Sequence, residues 1–454
     1  MTLYAPFLPV GGLKAPCNYV LYNRPVCDTK VVKRLDGFNP DRLLQKAGNV
    51  ADVARKMRAQ RGMGPPAPAA DNIPVRRAED AAAALWHAYG PSAITFGAVA
   101  QAADITKSLV SHHFATHARL LESGADIVVT GARHDFDRML EALRPLPPEM
   151  RSSLDTLAYI VEHLVGAETR PGVVLLELAS LGLAEPAYRE RFGELLDRLE
   201  AAMAENAPAG SRSFLTAFVL GELISHCPKR HGVVSLAGLR ERLRWFVGNG
   251  SAEERRWLLV LHELLGKYGH EIRPQPVARP QPVKEMDGTL AQNRIVTAAL
   301  DVLADGDVAE MTHRKIADRA RVSLAATTYY FESKRAILEA AYRQIIQLAE
   351  AEARQITKAP RAGDGSAFHD LIARMANYYV NEGRRSTLAH FRLALSACRS
   401  DDLSSFAAEA HRTEITTLIA RAQADGMTLS YNLACAIISF ISGTVLLRLT
   451  GMIE

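Results

Sequence analysis

The residues with the most chemistry to offer lie close together, in Thr312 to Leu338, THRKIADRARVSLAATTYYFESKRAIL. Hydroxyls at Thr312 and Ser323 stand where they can cap short helices, and cations cluster at Arg314, Lys315, Arg319, Arg321, Lys334 and Arg335. Small and aromatic side chains follow at Leu324, Ala325, Thr327, Tyr329 and Tyr330. These types suit recognition of a polyanion better than bond making: cations and helix N-termini bind phosphate, and a short exposed helix can read base edges. An echo of the stretch, TFGAVAQAADITKSLVSHHFATHARLL, runs from Thr95 to Leu121. Thr95 with Thr312, Ala100 with Ala317 and Phe114 with Phe331 are each 217 residues apart, so the two align without a gap. The corresponding polar set in the echo is Thr95, Thr106, Lys107, Ser108, Ser111, His112 and His113.

Positioning such residues takes a helix, a tight turn and a second helix. Around the later stretch, Ile295, Ala298, Ala299, Val302 and Leu303 form the apolar stripe of a preceding helix. Thr312 is the expected N-cap of a short helix through Lys315–Arg319, Arg321-Val322 the turn, and Ser323 the cap of a helix over Leu324–Tyr330 that would enter a major groove. Phe331 returns to the core, and Ser333-Lys334 opens a further helix whose N-terminus and lysine both favour a phosphate. From Thr312 to Arg335 six basic residues stand against Asp318 and Glu332, whereas Thr95–Ala118 holds Lys107 against Asp104, with His112, His113 and His117. Phosphate contacts supply most non-specific affinity, so the second head is expected to grip harder. The first is open to another reading, a scaffold that no longer touches DNA.

The alanine pair, Thr-x-x-x-Ile-Ala, Val-Ser followed by Thr327-Thr328-Tyr329-Tyr330-Phe331, and Ser-Lys before two apolar residues resemble the TetR family of bacterial regulators. Arg77, Ala81, Ala82, Thr95, Val99, Ala100, Ala103, Ile105, Thr106, Phe114, Leu120 and Leu121 fall on family positions in the first copy. Arg321 and Asp104 occupy the turn where the family usually has Gly, Ser111 replaces an aromatic, and His117 stands where the second copy has Lys334. The resemblance implies an all-α chain of two TetR-like units. Each would be a three-helix DNA-binding domain followed by a helical domain with a small-molecule pocket and dimerisation helices. With both units in one chain, the interface would form internally, as a pseudo-dimer, leaving room for further self-association.

Chain length and pattern fit that plan. The 454 residues suffice for several domains, 48% hydrophobic content suffices for cores, and a net charge of +4 confines any DNA-binding surface to local patches. Proline-rich segments at 62–74 and 270–289 divide the chain into an unassigned 1–74, a first head at 75–122, a first body at 123–269, the linker 270–289, a second head at 290–338 and a second body at 339–454. Helical stripes are expected at Val233–Val247 and Ala252–Tyr268 among others, and the apolar helix at Arg212–His226 aligns with Tyr431–Leu449, Leu220 opposite Ile437. Leu433–Leu447 is short for a bilayer and broken by Ser439 and Ser442, which favours a buried helix. No leader is visible at the start, and cysteines 17, 27, 227, 398 and 435 are scattered as in a reducing cytoplasm. His226, Cys227 and His231 are interrupted by Pro228 and lack metal-ligand spacing, so neither metal nor cofactor is expected.

Polar residues on apolar helices, His163, Glu177, Tyr378, His390 and Arg392, are candidate pocket groups, though core packing explains them equally well. Two functional classes remain. One is a ligand-responsive regulator, most simply a repressor, that binds double-stranded operator DNA and a small effector. The other is a helical partner-binding protein with degenerate heads or, further off, a helical enzyme, against which stands the lack of a phosphate loop, nucleophile elbow or paired carboxylate motif.

Overall fold

A computed structural model describes residues 73–147, 154–166, 170–206, 212–227, 290–306, 308–356, 374–424 and 427–453, together with 239, 242 and 243. The segment 1–72, most of the stretches expected as helices at Val233–Val247 and Ala252–Tyr268, and the linker 270–289 lie outside the described residues. Among the described residues all regular structure is helical, with no strand.

The first half runs α1 (Ile73–Tyr89), α2 (Phe96–Ala103), α3 (Lys107–Phe114), α4 (His117–Leu143), α5 (Leu154–Gly166), α6 (Pro171–Gly182), α7 (Pro186–Asn206) and α8 (Arg212–His226). The second runs α9 (Leu290–Asp305), α10 (His313–Ala320), α11 (Leu324–Tyr330), α12 (Lys334–Ile356), α13 (Arg384–Ala397), α14 (Asp401–Ala424) and α15 (Tyr431–Leu449), with residues 374–380 also helical. Helix α1 begins inside the segment read as linker. Pro74 is accommodated because a first-turn residue has no intrahelical N–H bond to lose. The 217-residue offset holds inside the heads, where short 3₁₀ turns recur at Pro91–Ala93 and Val308–Glu310, and persists beyond them, where Pro186–Asn206 falls on Asp401–Ala424.

Each head packs three helices together, and their buried side chains join the one hydrophobic cluster that runs through the described residues. Ala78, Ala82, Leu85 and Trp86 of α1 meet Val99, Val110 and Phe114, while Ile295, Ala299 and Leu303 of α9 meet Ile316, Ala320 and Phe331, all buried. The start of the following long helix closes each head with Leu120 or Ile337.

Across the halves, α8 packs along α15. The approach is close because glycines face backbone: a Cβ on Gly221 would run into the Ser439 carbonyl, and one on Gly443 into the Ala217 carbonyl. Between them Ser439 Oγ donates to Glu222 Oε1 over 2.8 Å, and the two residues are themselves 217 apart. Arg242 adds a fork to Glu222 at 3.0 and 2.8 Å. Burial alone would raise the Glu222 pKa, but Arg242 and His226 outweigh it and hold the carboxyl well below the usual range. Tyr431–Leu449 is long and apolar enough to cross a membrane by length and composition, yet 83% of its apolar window is buried inside the protein. Its apolar surface is thus taken up by neighbouring helices, chiefly α8 and α14.

Candidate functional site

The second head is built by local rules that its sequence states openly. Thr312 is extended and its Oγ1 accepts from Lys315 N at 3.1 Å, which starts α10. Arg321 then takes the left-handed conformation, φ 53° and ψ 47°, and its N–H bonds back to Ala317 and Asp318. Ser323 Oγ accepts from Ala326 N at 3.1 Å to start α11, and Ser333 Oγ accepts from Ala336 N at 3.2 Å to start α12. The first head repeats the design. Thr95 caps α2 through Ala98 N at 3.1 Å, Asp104 is left-handed at φ 53°, and Thr106 caps α3 through Leu109 N at 3.3 Å.

A non-glycine residue at positive φ costs roughly 1–2 kcal/mol, and each head braces that turn from its first helix, α1 or α9. Arg294 donates to the carbonyls of Ala320 and, at 2.8 Å, Arg321, while Arg77 donates to the Asp104 carbonyl at 3.3 Å. Arg77 and Arg294 are again 217 apart. That spacing was the available signal for the role of Arg294, which reading the recognition segment alone misses.

On α11, Leu324 is 51% and Tyr329 81% exposed, with Ser323, Ala325 and Thr328 open beside them. Tyr330 is half-buried, its ring edge-on to Tyr329 at 5.1 Å. Thr312, Arg314 and Lys315 are exposed on the neighbouring α10, and Lys334 is half-buried at the start of α12. Thr327 corrects the sequence reading. It is fully buried, and its hydroxyl donates to the Leu324 carbonyl at 2.7 Å. One turn before Phe331, it faces the core and cannot reach a base.

The first head gathers Thr106, Lys107, Ser108, Ser111, His112 and His113 on the exposed side of α3, with Thr95 exposed at the start of α2. Ser111 Oγ donates to the Ser108 carbonyl at 2.9 Å, and the two histidine rings meet edge-on at 5.4 Å. His117, aligned with Lys334, is engaged by the Ile94 carbonyl at 2.7 Å.

The charge asymmetry is smaller than the window count suggests, because acids from outside the window return to it. Lys315 pairs with Glu310, Arg319 with Asp305 at 2.9 Å, and Arg335 with Glu339 at 2.9 Å. Among the described residues, the side chains of Arg314 and Arg321 make no ion pair, and neither does Lys107 in the first head. Exposed pairs are worth roughly 0–1 kcal/mol, so an arriving phosphate can compete for these cations.

A second feature lies in the second body. A cavity of about 110 Å³ opens between 374–380, α12, α13, α14 and α15, with Ile224 and Ser225 of α8 at its edge. Tyr378 and His390, both expected as pocket groups, line it together with His411 and Glu414, which the sequence reading did not pick out. The other three candidates serve elsewhere. Arg392 donates to the Leu303 carbonyl at 2.7 Å, and Glu177 accepts from Trp86 Nε1 at 2.7 Å and from Arg399 at 2.9 and 2.6 Å. His163 sits in the first body, where burial lowers its pKa despite the nearby Asp135. Among the described residues no group of three or more His, Cys, Asp or Glu side chains is placed to hold a metal ion. His226 instead lies 2.7 Å from Glu222.

Two helix-turn-helix heads on one helical chain, each offering the exposed face of its second helix, define a DNA-binding protein of the transcription-regulating class. The sequence model described as "Bacterial regulatory proteins, tetR family" matches this chain twice, over residues 80–123 and 295–341. One TetR-family match thus falls on each head, which supports a TetR-type regulator with two TetR-like units. No curated protein sequence matches it closely enough to lend it a more particular function.

Proposed function

We propose that this chain is a ligand-responsive repressor in which both heads of one molecule bind one operator. Its halves pair internally, so that a monomer does what a family homodimer does, in the cytoplasm where the DNA is. The observation that carries this reading is the contact of α8 with α15, in which Glu222 meets Ser439, its counterpart at the 217-residue offset. Equivalent residues touch each other only near a two-fold axis, so the contact has the geometry of a dimer interface within one chain.

The reading segments expected to contact DNA are Thr95, Thr106, Lys107, Ser108, Ser111, His112 and His113 in the first head. In the second they are Thr312, Arg314, Lys315, Ser323, Leu324, Ala325, Tyr329, Tyr330 and Lys334. The cavity in the second body is the proposed effector pocket, and α13 supports a route from it to both heads. Ser386, Thr387, His390, Phe391 and Ala394 of α13 line the cavity. On another stripe, at seven-residue spacing, Arg385 pairs with Asp301 and Asp305 of the second head at 3.1 and 3.0 Å, and Arg392 holds the Leu303 carbonyl. Just beyond the helix, Arg399 donates to the His87 carbonyl of the first head at 2.6 Å. A ligand that shifts α13 therefore changes the spacing of the heads, and with it operator affinity.

A mobility-shift titration with the DNA upstream of the chain's own coding sequence tests the reading. Specific retardation by a one-chain complex is expected. Affinity no better than for unrelated DNA of the same length would remove it.

A further inference from the structure

We propose that the cavity of the second body selects a small, largely apolar molecule bearing one amine, bound once per chain against Glu414, and that the first body holds no equivalent site. The inference rests on the pocket assigned above and adds the chemistry and the number of its ligands. Among the described residues lining the cavity, Glu414 is the one carboxylate and none is a lysine or arginine. His390 Nδ1 lies 3.6 Å from one Glu414 oxygen and His411 Nδ1 3.8 Å from the other. Around this polar end the wall is apolar, with Phe391, Val445, Leu446 and Leu449. A carboxylate in such a recess repels an anion and gains a charge-assisted hydrogen bond from an ammonium group, with the two imidazoles beside the pair. Aromatic rings at Tyr378, Tyr379 and Phe391 add surfaces that favour a cation. At about 110 Å³ the cavity is somewhat smaller than the ~150 Å³ apolar cavities that accept benzene, which limits its enclosed part to a single ring or short chain.

The aligned positions of the first body lack this chemistry. The 217-residue offset puts Val173 where His390 stands and Val161 where Tyr378 stands, each 1% exposed. Glu177 replaces Ala394 and is committed to Trp86 and Arg399. Glu194 replaces His411 and pairs with Arg133. The acid aligned with Glu414 is Asp197, which therefore has neither imidazole beside it.

Three probes that differ only in their polar end decide the matter: benzylamine, benzyl alcohol and benzoate, titrated calorimetrically at pH 7 into the full chain without DNA. One benzylamine site per chain is expected, at least tenfold tighter than for benzoate or the alcohol. Glu414→Gln should remove that preference while leaving thermal unfolding unchanged. His390→Val, which copies the first body, should weaken benzylamine several-fold. Equal binding of benzoate, two equivalent benzylamine sites, full amine affinity in Glu414→Gln, or binding of none of the three would overturn the proposal. The same titrations with operator DNA present separate the two readings. Amine binding with these features but no change in DNA affinity leaves the site standing and removes the effector role.

Discussion

Arg399→Met is the most informative perturbation, because this one arginine joins the second half to the first head. Its guanidinium donates to Glu177 Oε1 at 2.9 and 2.6 Å and to the His87 carbonyl at 2.6 Å. The side chains of Arg399 and Glu177 are only 10% and 5% exposed, so the pair is desolvated and its carboxylate cannot fall back on bulk water. Methionine keeps much of the arginine stem's apolar bulk but leaves Glu177 charged, with the Trp86 indole N–H still donating to its other oxygen. Removing one member of a buried pair costs about 3–5 kcal/mol, and the retained Trp86 bond argues for the lower end, about 3 kcal/mol. The double variant Arg399→Met with Glu177→Gln should recover much of this, since a neutral amide oxygen can still accept from Trp86. A coupling of about 1–3 kcal/mol between the sites is expected. Urea unfolding of wild type, both single variants and the double variant gives the cycle. A loss under about 1 kcal/mol for Arg399→Met, or strict additivity, would refute the view that this pair fastens the halves together.

Static light scattering at micromolar concentration should give the mass of one chain; twice that mass with no monomer would mean four heads per particle. Replacing Lys315 and Lys334 together by alanine should weaken binding to all sequences alike and lower the salt slope by roughly one to two units, whereas Lys107→Ala should mainly relax base preference in one half-site. Salt-dependent titrations showing the reverse would invert the ranking of the heads. Thr327→Val should leave operator preference unchanged and shift stability by no more than about 1 kcal/mol, because the buried hydroxyl bonds only within its own helix. Altered base preference in a footprint would put Thr327 back on the reading face. The two half-sites should differ in sequence, since Lys107-Ser108 aligns with Leu324-Ala325; protection centred on a perfect inverted repeat would contradict this.

What could be read from the sequence is what local rules determine. The caps at Thr312 and Ser323 are announced by their hydroxyls, and the turn at Arg321 by its place between two short helical segments and its alignment with Asp104 rather than by the arginine itself. Leu220 opposite Ile437 likewise pointed to the pairing of α8 with α15, because an all-round apolar helix must be covered. Thr327 was misread because its hydroxyl suggested a polar face, although its four-residue spacing to Phe331 placed it on the core side. The ion pairs were invisible for another reason. Glu310, Asp305 and Glu339 lie outside the helix-turn-helix window, and which cation each meets is set by tertiary geometry. His411 and Glu414 stayed hidden in the same way, on a helix whose pattern does not say which side borders a cavity.

Duplication also explains a feature that a homodimer could not hold. Near a two-fold axis a residue meets its own copy, so a homodimer built from the first half would bring Glu222 against Glu222 in a buried interface. Two desolvated carboxylates would then repel each other, and at least one would have to take up a proton. In this chain the counterpart is Ser439, which donates a hydrogen bond to the carboxylate, and Arg242 supplies the opposing charge. The small serine also leaves its backbone open to the close approach of Gly221. Once the halves are separate stretches of one sequence, each side of the axis can take a different residue. The same freedom puts Glu177 in the first half where the second has Ala394, and Val173 where it has His390. The contacts at Glu222 and Glu177 both favour pairing between unlike halves over pairing between like ones. They therefore give a physical reason for unlike halves to meet at this interface rather than like ones.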